Sequence, residues 1–152
     1  MALAEGKTED ANEYFEKYKS IHSSNSASEA DIKAGLAWIY SEAGIFDKAE
    51  SYWREALSLE PNSWRMYQLA WLLIEKDRNI NEGMELINKA LESSPESKYY
   101  LHCKGWGLYK QSKYKEALEV LEKSWELKPL YIHDIYLHLV AAKKAVAGLK
   151  NY

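Results

Sequence analysis

The chain has three prolines, Pro61, Pro95 and Pro129, and 34 residues separate each from the next. Proline inside a helix costs ~3 kcal/mol and removes a backbone donor, so it marks where helices end. Each proline closes an acidic, apolar segment: "AESYWREALSLEP", "GMELINKALESSP" and "ALEVLEKSWELKP". Setting the prolines in register stacks further columns. Ala49, Gly83 and Ala117 coincide, as do Ala56, Ala90 and Ser124. Trp53, Ile87 and Leu121 share another column, and Phe46, Ile80 and Tyr114 a fourth. Upstream, Ala37, Trp71 and Gly105 align, then Tyr40, Ile74 and Leu108. A period of this length reads as a stack of supersecondary units, each burying its apolar face against the next.

Within the period the pattern is helical. In "AESYWREALSL", Ala49, Tyr52, Trp53, Ala56 and Leu57 fall at i, i+3, i+4, i+7 and i+8, one apolar stripe. The small residues of the columns let two helices approach closely. Ser28, Ser63 and Ser97 stand just before the expected first helices, where a hydroxyl can cap free N–H groups.

The period and these columns resemble the tetratricopeptide repeat (TPR) family, whose unit is a helix–turn–helix of 34 residues. Repeat 1, residues 30–63, matches the family pattern with Ala37, Tyr40, Gly44, Phe46, Ala49, Ala56 and Pro61. Repeat 3, residues 98–131, matches with Gly105, Leu108, Tyr114, Ala117 and Pro129. Repeat 2, residues 64–97, departs: Trp71 stands where the family has a small residue, Gly83 where it has Ala, and Arg78 at the turn glycine. A compensation is expected in which the Trp71 indole fills the space that Gly83 vacates; the rival is a locally splayed repeat. Asn79 is expected to supply the left-handed residue of that turn.

Residues 8–22 place Ala11, Tyr14, Phe15 and Tyr18 on one face and read as an N-terminal helix, followed by the polar connection "SSNSAS". Residues 132–147 read as a capping helix with Ile135, Leu139 and Ala142 inward. The expected fold is one all-α domain over 1–152, a right-handed α-solenoid of three TPR units with a helix at each end. That makes about eight helices and no strands. The phrases "LAWLLIEKDRNINEGMELINKALESSP" and "YLHCKGWGLYKQSKYKEALEVLEKS" further resemble a pattern of bacterial TPR proteins.

The resemblance implies that the first helix of each unit lines a concave groove. Its lining would include Trp38 in repeat 1 and Arg65, Gln68, Leu72 and Glu75 in repeat 2. Repeat 3 would add Tyr99, His102, Trp106 and Tyr109, and the capping helix His133, Tyr136, Val140 and Lys143. Trp, Tyr and Arg dominate binding hot spots. The chain has six Trp and twelve Tyr against two Phe, a bias toward rings with a polar handle. The best-known TPR ligand is an acidic chaperone tail held by a carboxylate clamp. Here the clamp positions carry Ala34, Trp38, Leu69, Tyr99 and Cys103, or one repeat along Gln68, Leu72, Cys103, His133 and Leu137. Neither frame matches.

The only cysteine, Cys103, follows His102, but helix neighbours point about 100° apart and no third residue completes a triad. His102 reads as a polar contact in the groove and Cys103 as a small apolar filler. Asp134 and His138, at i and i+4, read as a surface pair rather than a metal site, and no glycine-rich phosphate loop occurs. A net charge of −3 speaks against nucleic acid, and no stretch approaches a membrane span. The expectation is a cytoplasmic, non-catalytic scaffold without cofactor or metal, monomeric or weakly dimeric, binding a partner peptide or helix. The alternative is a structural spacer or self-association module of a larger protein.

Overall fold

The structure, a computed structural model, describes residues 27–127 and 132–149 together with Glu13, Glu16, Lys17 and Ser20. Those four isolated residues are helical and exposed. The rest of the helix expected over 8–22, including Ala11, Tyr14, Phe15 and Tyr18, lies outside the described residues, as does Pro129. Among the described residues there are seven further helices and no strand: α1 (Glu29–Glu42), α2 (Phe46–Leu59), α3 (Ser63–Glu75), α4 (Ile80–Ser93), α5 (Lys98–Lys110), α6 (Tyr114–Glu126) and α7 (His133–Gly148). They fall into two compact units, Met1–Arg65 and Met66–Tyr152.

In the first unit α1 and α2 form an antiparallel pair. Ser28 caps α1 by accepting a hydrogen bond from the Asp31 N–H, and Glu29 and Asp31 put negative charge at the positive end of the helix. Buried Ala34, Ala37 and Tyr40 of α1 belong to the same core as Ala49, Trp53 and Ala56 of α2. Tyr40 and Tyr52 stack 5.5 Å apart and 6° from parallel. Trp53 meets the edge of Trp64 at 5.5 Å.

In the second unit Ala70 and Ile74 of α3, Met84, Ile87 and Ala90 of α4, Cys103 and Leu108 of α5 and Ala117 of α6 form one buried cluster. A second joins Leu121 of α6 to Leu139 and Ala142 of α7. Ile135, Leu139 and Ala142 are buried where the periodicity places them. The aligned columns are the core: Ala49, Gly83 and Ala117, then Trp53, Ile87 and Leu121, then Ala56, Ala90 and Ser124 are all buried. The one hydroxyl among them is satisfied, since Ser124 Oγ donates to the Lys98 carbonyl at 2.8 Å.

The turns between paired helices share one device. Ile45, Arg78 and Lys113 each donate their backbone N–H to a carbonyl five residues back, on Tyr40, Leu73 and Leu108. The residue before each is left-handed: Gly44 (φ 76°), Asp77 (φ 52°) and Ser112 (φ 62°). In repeat 2 this residue is Asp77, not Asn79. Helix α3 ends one residue early relative to its counterparts, and Asn79 has a negative φ (−155°) and caps α4 by accepting from the Glu82 N–H. The cap of α3 is likewise Asn62, whose Oδ1 accepts from the Arg65 N–H, while Ser63 is already helical. Ser97 precedes α5 without a side-chain capping bond.

The expected Trp71–Gly83 compensation is not what the structure uses. The atoms nearest a Cβ built on Gly83 are Ile74 Cγ1 at 2.7 Å, the Ala70 carbonyl oxygen and Ile74 Cδ1, both at 3.1 Å. The closely packed partner of Gly83 is therefore the α3 backbone with Ile74, and the Trp71 indole lies against His102 and His138 instead. In repeat 3 the close crossing falls on the first helix. A Cβ on Gly105 would sit 2.6 Å from Leu121 Cγ, in a fully buried side chain with no room to withdraw. Gly105→Ala is expected to destabilise by the upper part of the ~1–3 kcal/mol typical of overpacking. This exceeds the ~1 kcal/mol that alanine gains in helix propensity. Urea unfolding with an unchanged m value measures the difference, and a stabilised variant would show slack at the crossing.

Candidate functional site

The second unit gathers polar and aromatic groups from three helices. Trp71 and Glu75, one turn apart, come from α3; His102, Trp106, Tyr109 and Lys110 share a stripe of α5; His138 comes from α7. His102 Nε2 lies 2.8 Å from His138 Nδ1. The Trp106 indole is nearly parallel to the His138 ring at a centroid distance of 3.6 Å and to Tyr109 at 4.8 Å. Its Nε1–H donates to Glu75 Oε2 at 2.8 Å. Trp71 tilts against His102 at 5.2 Å and His138 at 6.1 Å. Lys110 Nζ closes the edge, donating to the Glu75 carbonyl and to Asp77 Oδ2 at 3.1 and 2.6 Å. It also lies 5.5 Å from the Trp106 ring centre.

This setting disfavours charge on the imidazoles. Burial, then the neighbouring His138, pushes the His102 pKa down to about 3. Burial also lowers that of His138, with Lys110 acting the same way, against the opposite pull of Glu75 and Asp134. The Cys103 thiol, wholly buried, is pushed up by burial and by the Glu75 charge. A proton-transfer pair needs the reverse, an ionisable thiol facing a basic imidazole. His102 instead turns to His138. Among the described residues no group of three or more His, Cys, Asp or Glu is placed to hold a metal ion.

The residues expected to line the groove have distinct fates. Trp38, Tyr99 and Tyr136 are exposed, at 57%, 49% and 42%. Gln68, Trp106, Tyr109 and Val140 are half-buried, and Leu72 and His102 are buried. Arg65 is buried too, its guanidinium held by Asp31 Oδ1 at 2.6 Å, the Glu60 carbonyl at 2.9 Å and Glu60 Oε2 at 3.3 Å. Lys143 faces Glu122 at 3.3 Å. The structure thus brings His102, Trp106 and Tyr109 together with Glu75, while Tyr136 sits against Trp125 and Tyr99 beside Lys98. Three members of the cluster, Trp71, Lys110 and His138, were absent from the expected set. Trp71 occupies a column reserved for small residues, and His138 reads as a surface partner of Asp134. The signal for His138 was its place three residues after Ile135 and one before Leu139, at the border of the inward stripe of α7.

Solved TPR domains share this arrangement. The TPR domain of Sgt2 from Aspergillus fumigatus is similar with a TM-score of 0.74 at 18% identity, covering 83% of this chain and 84% of that one. The first TPR of Spaghetti (RPAP3), solved bound to the HSP90 peptide SRMEEVD, is similar with a TM-score of 0.69 at 18% identity, over 78% of this chain and 94% of that one. The Arabidopsis OM64 TPR domain reaches 0.67 at 16% identity, over 76% and 94%. These likenesses show the fold, a stack of helical repeats. A tetratricopeptide repeat family model matches residues 30–63, so that segment is a TPR and the chain carries the TPR fold. No curated protein matches the sequence.

Native protein exposed to excess maleimide is expected to keep Cys103 unmodified, and denaturation to release one reactive thiol per chain, both read by intact mass. Rapid native modification would show that α5 leaves its core.

Proposed function

We propose that this chain is a non-catalytic scaffold that holds a partner polypeptide, as an extended peptide or an amphipathic helix, against aromatic side chains of its first-type helices. The observation that carries this is the exposure of Trp38, Tyr99 and Tyr136, three large rings about half open to solvent on α1, α5 and α7. Such rings supply much contact area at low entropic cost and are the residue types that anchor interfaces. In the second unit the half-buried Trp106, Tyr109 and Val140 and the polar Gln68 belong to the proposed surface, as do the buried Leu72 and His102; in the first unit Trp38 is exposed and Arg65 is buried.

The likeness to a TPR domain solved with a bound peptide supports a peptide as the class of ligand. The side chains do not support an acidic tail. At the clamp positions Ala34, Leu69 and Cys103 are buried, and none of the five is basic. Arg65 is engaged by Asp31 and Glu60, and Lys110 by Asp77. A terminal carboxylate would lack the charge-assisted partners that a clamp supplies.

The rings are exposed, so Trp38→Ala, Tyr99→Ala and Tyr136→Ala variants are expected to keep wild-type helicity. Each should weaken a captured partner about tenfold or more, ~1.4 kcal/mol. Paired capture with the wild-type chain and the triple variant, followed by titration of the partner so found, measures this. Equal capture by both baits would place binding elsewhere. A labelled SRMEEVD peptide is expected to show no saturable binding, and saturable, salt-sensitive binding would restore the clamp.

A further inference from the structure

The contact between His102 and His138 joins α5 to α7 through two largely enclosed imidazoles. We propose that this pair is a proton-sensitive latch, seating α7 on α5 at neutral pH and loosening it as the solution acidifies. The inference goes beyond the binding role, because it concerns how firmly the last helix is held whatever the chain binds.

The geometry gives the mechanism. Two ring nitrogens 2.8 Å apart share one hydrogen, with one ring donating and the other accepting. A first added proton preserves the bond, since an imidazolium N–H donates to a neutral ring. A second leaves two N–H groups face to face with no lone pair between them, and two like charges in a buried site.

The groups around the pair decide the order. From α3, Glu75 favours a cation on His138 and is itself held by the Trp106 N–H. Asp134, one turn earlier on α7, acts in the same direction. From α5, Lys110 opposes them, and Asp77, in the turn after α3, engages Lys110. The remaining neighbours, Trp71, Trp106 and Tyr109, are uncharged rings. His138 therefore takes the first proton, and the resulting charge resists a second on His102.

Both histidines sit below their ordinary value of 6.5 while α7 is seated, His102 at about 3. Released into water they regain it. Protons thus favour release once the pH falls below 6.5, and for His102 the effect grows until about pH 3. By about pH 5, His102 alone moves the seating equilibrium ~30-fold toward release, and His138 adds in the same direction.

The test is amide hydrogen exchange on the full chain between about pH 7.5 and pH 5, corrected for intrinsic rates, with α2 as internal reference. Protection of α7 is expected to fall ~30-fold or more relative to α2. In a His102→Gln/His138→Asn variant, amides replace the bonded ring nitrogens with groups that do not titrate. That variant should hold α7 at neutral pH and lose the differential. Equal loss in the variant would overturn the latch and move the effect to Glu75 and Asp134. Loss in α7 that merely tracks α2 would overturn it as well. Should the variant not fold, a proton NMR titration of the wild-type imidazoles decides: values for His102 and His138 below 6.5 support the latch, and values at or above 6.5 refute it.

Discussion

Two helices can cross at close range only where neither brings a wide side chain to the crossing, and the fold depends on that constraint. Within the first unit Ala37 of α1 and Ala49 of α2, both fully buried, bring no wide side chain to the pair. In the second, Gly83 meets the backbone of α3, and Gly105 meets Leu121. Once the pairs are pressed together at these points, the neighbouring Trp53, Ile87 and Leu121 close the core. Close packing also explains why one methyl group matters there: interiors at crystal-like density have no free volume to yield.

That constraint is visible in a one-dimensional sequence because it recurs. Columns spaced by a fixed period marked the helices, their pairing and the buried positions, and even the inward stripe of α7. Features that depend on a single residue's choice were less legible. Whether Asp77 or Asn79 turns left-handed hangs on α3 ending one residue early, and whether Asn62 or Ser63 caps α3 hangs on a similar step. The candidate site was legible in part. His102, Trp106, Tyr109 and Glu75 follow from the pattern of first-type helices. The meeting of Trp71 and His138 with them does not, because contacts across three helices leave no periodic trace, and Trp71 sits in a column whose usual occupant is small.

Buried polar groups are handled in the same manner in both units: each is enclosed with a partner from its own unit. Arg65 faces Asp31 and Glu60, His102 faces His138, Ser124 faces a backbone carbonyl, and Trp106 faces Glu75. Removing the partners of such a buried group leaves it desolvated and unpaired, which costs more than the bond contributes. These residues thereby tie helices together with a directionality that apolar contacts lack.

The commitment of Arg65 reaches beyond the interior. Its charge is neutralised by Asp31 and Glu60 within the scaffold, and Lys110 is likewise matched by Asp77. The rings beside them are therefore not backed by either cation as a source of long-range attraction. A partner docking on these rings, as proposed, would gain no steering from either of these cations. Its complex would outlast a rise in ionic strength that dissolves charge-held ones.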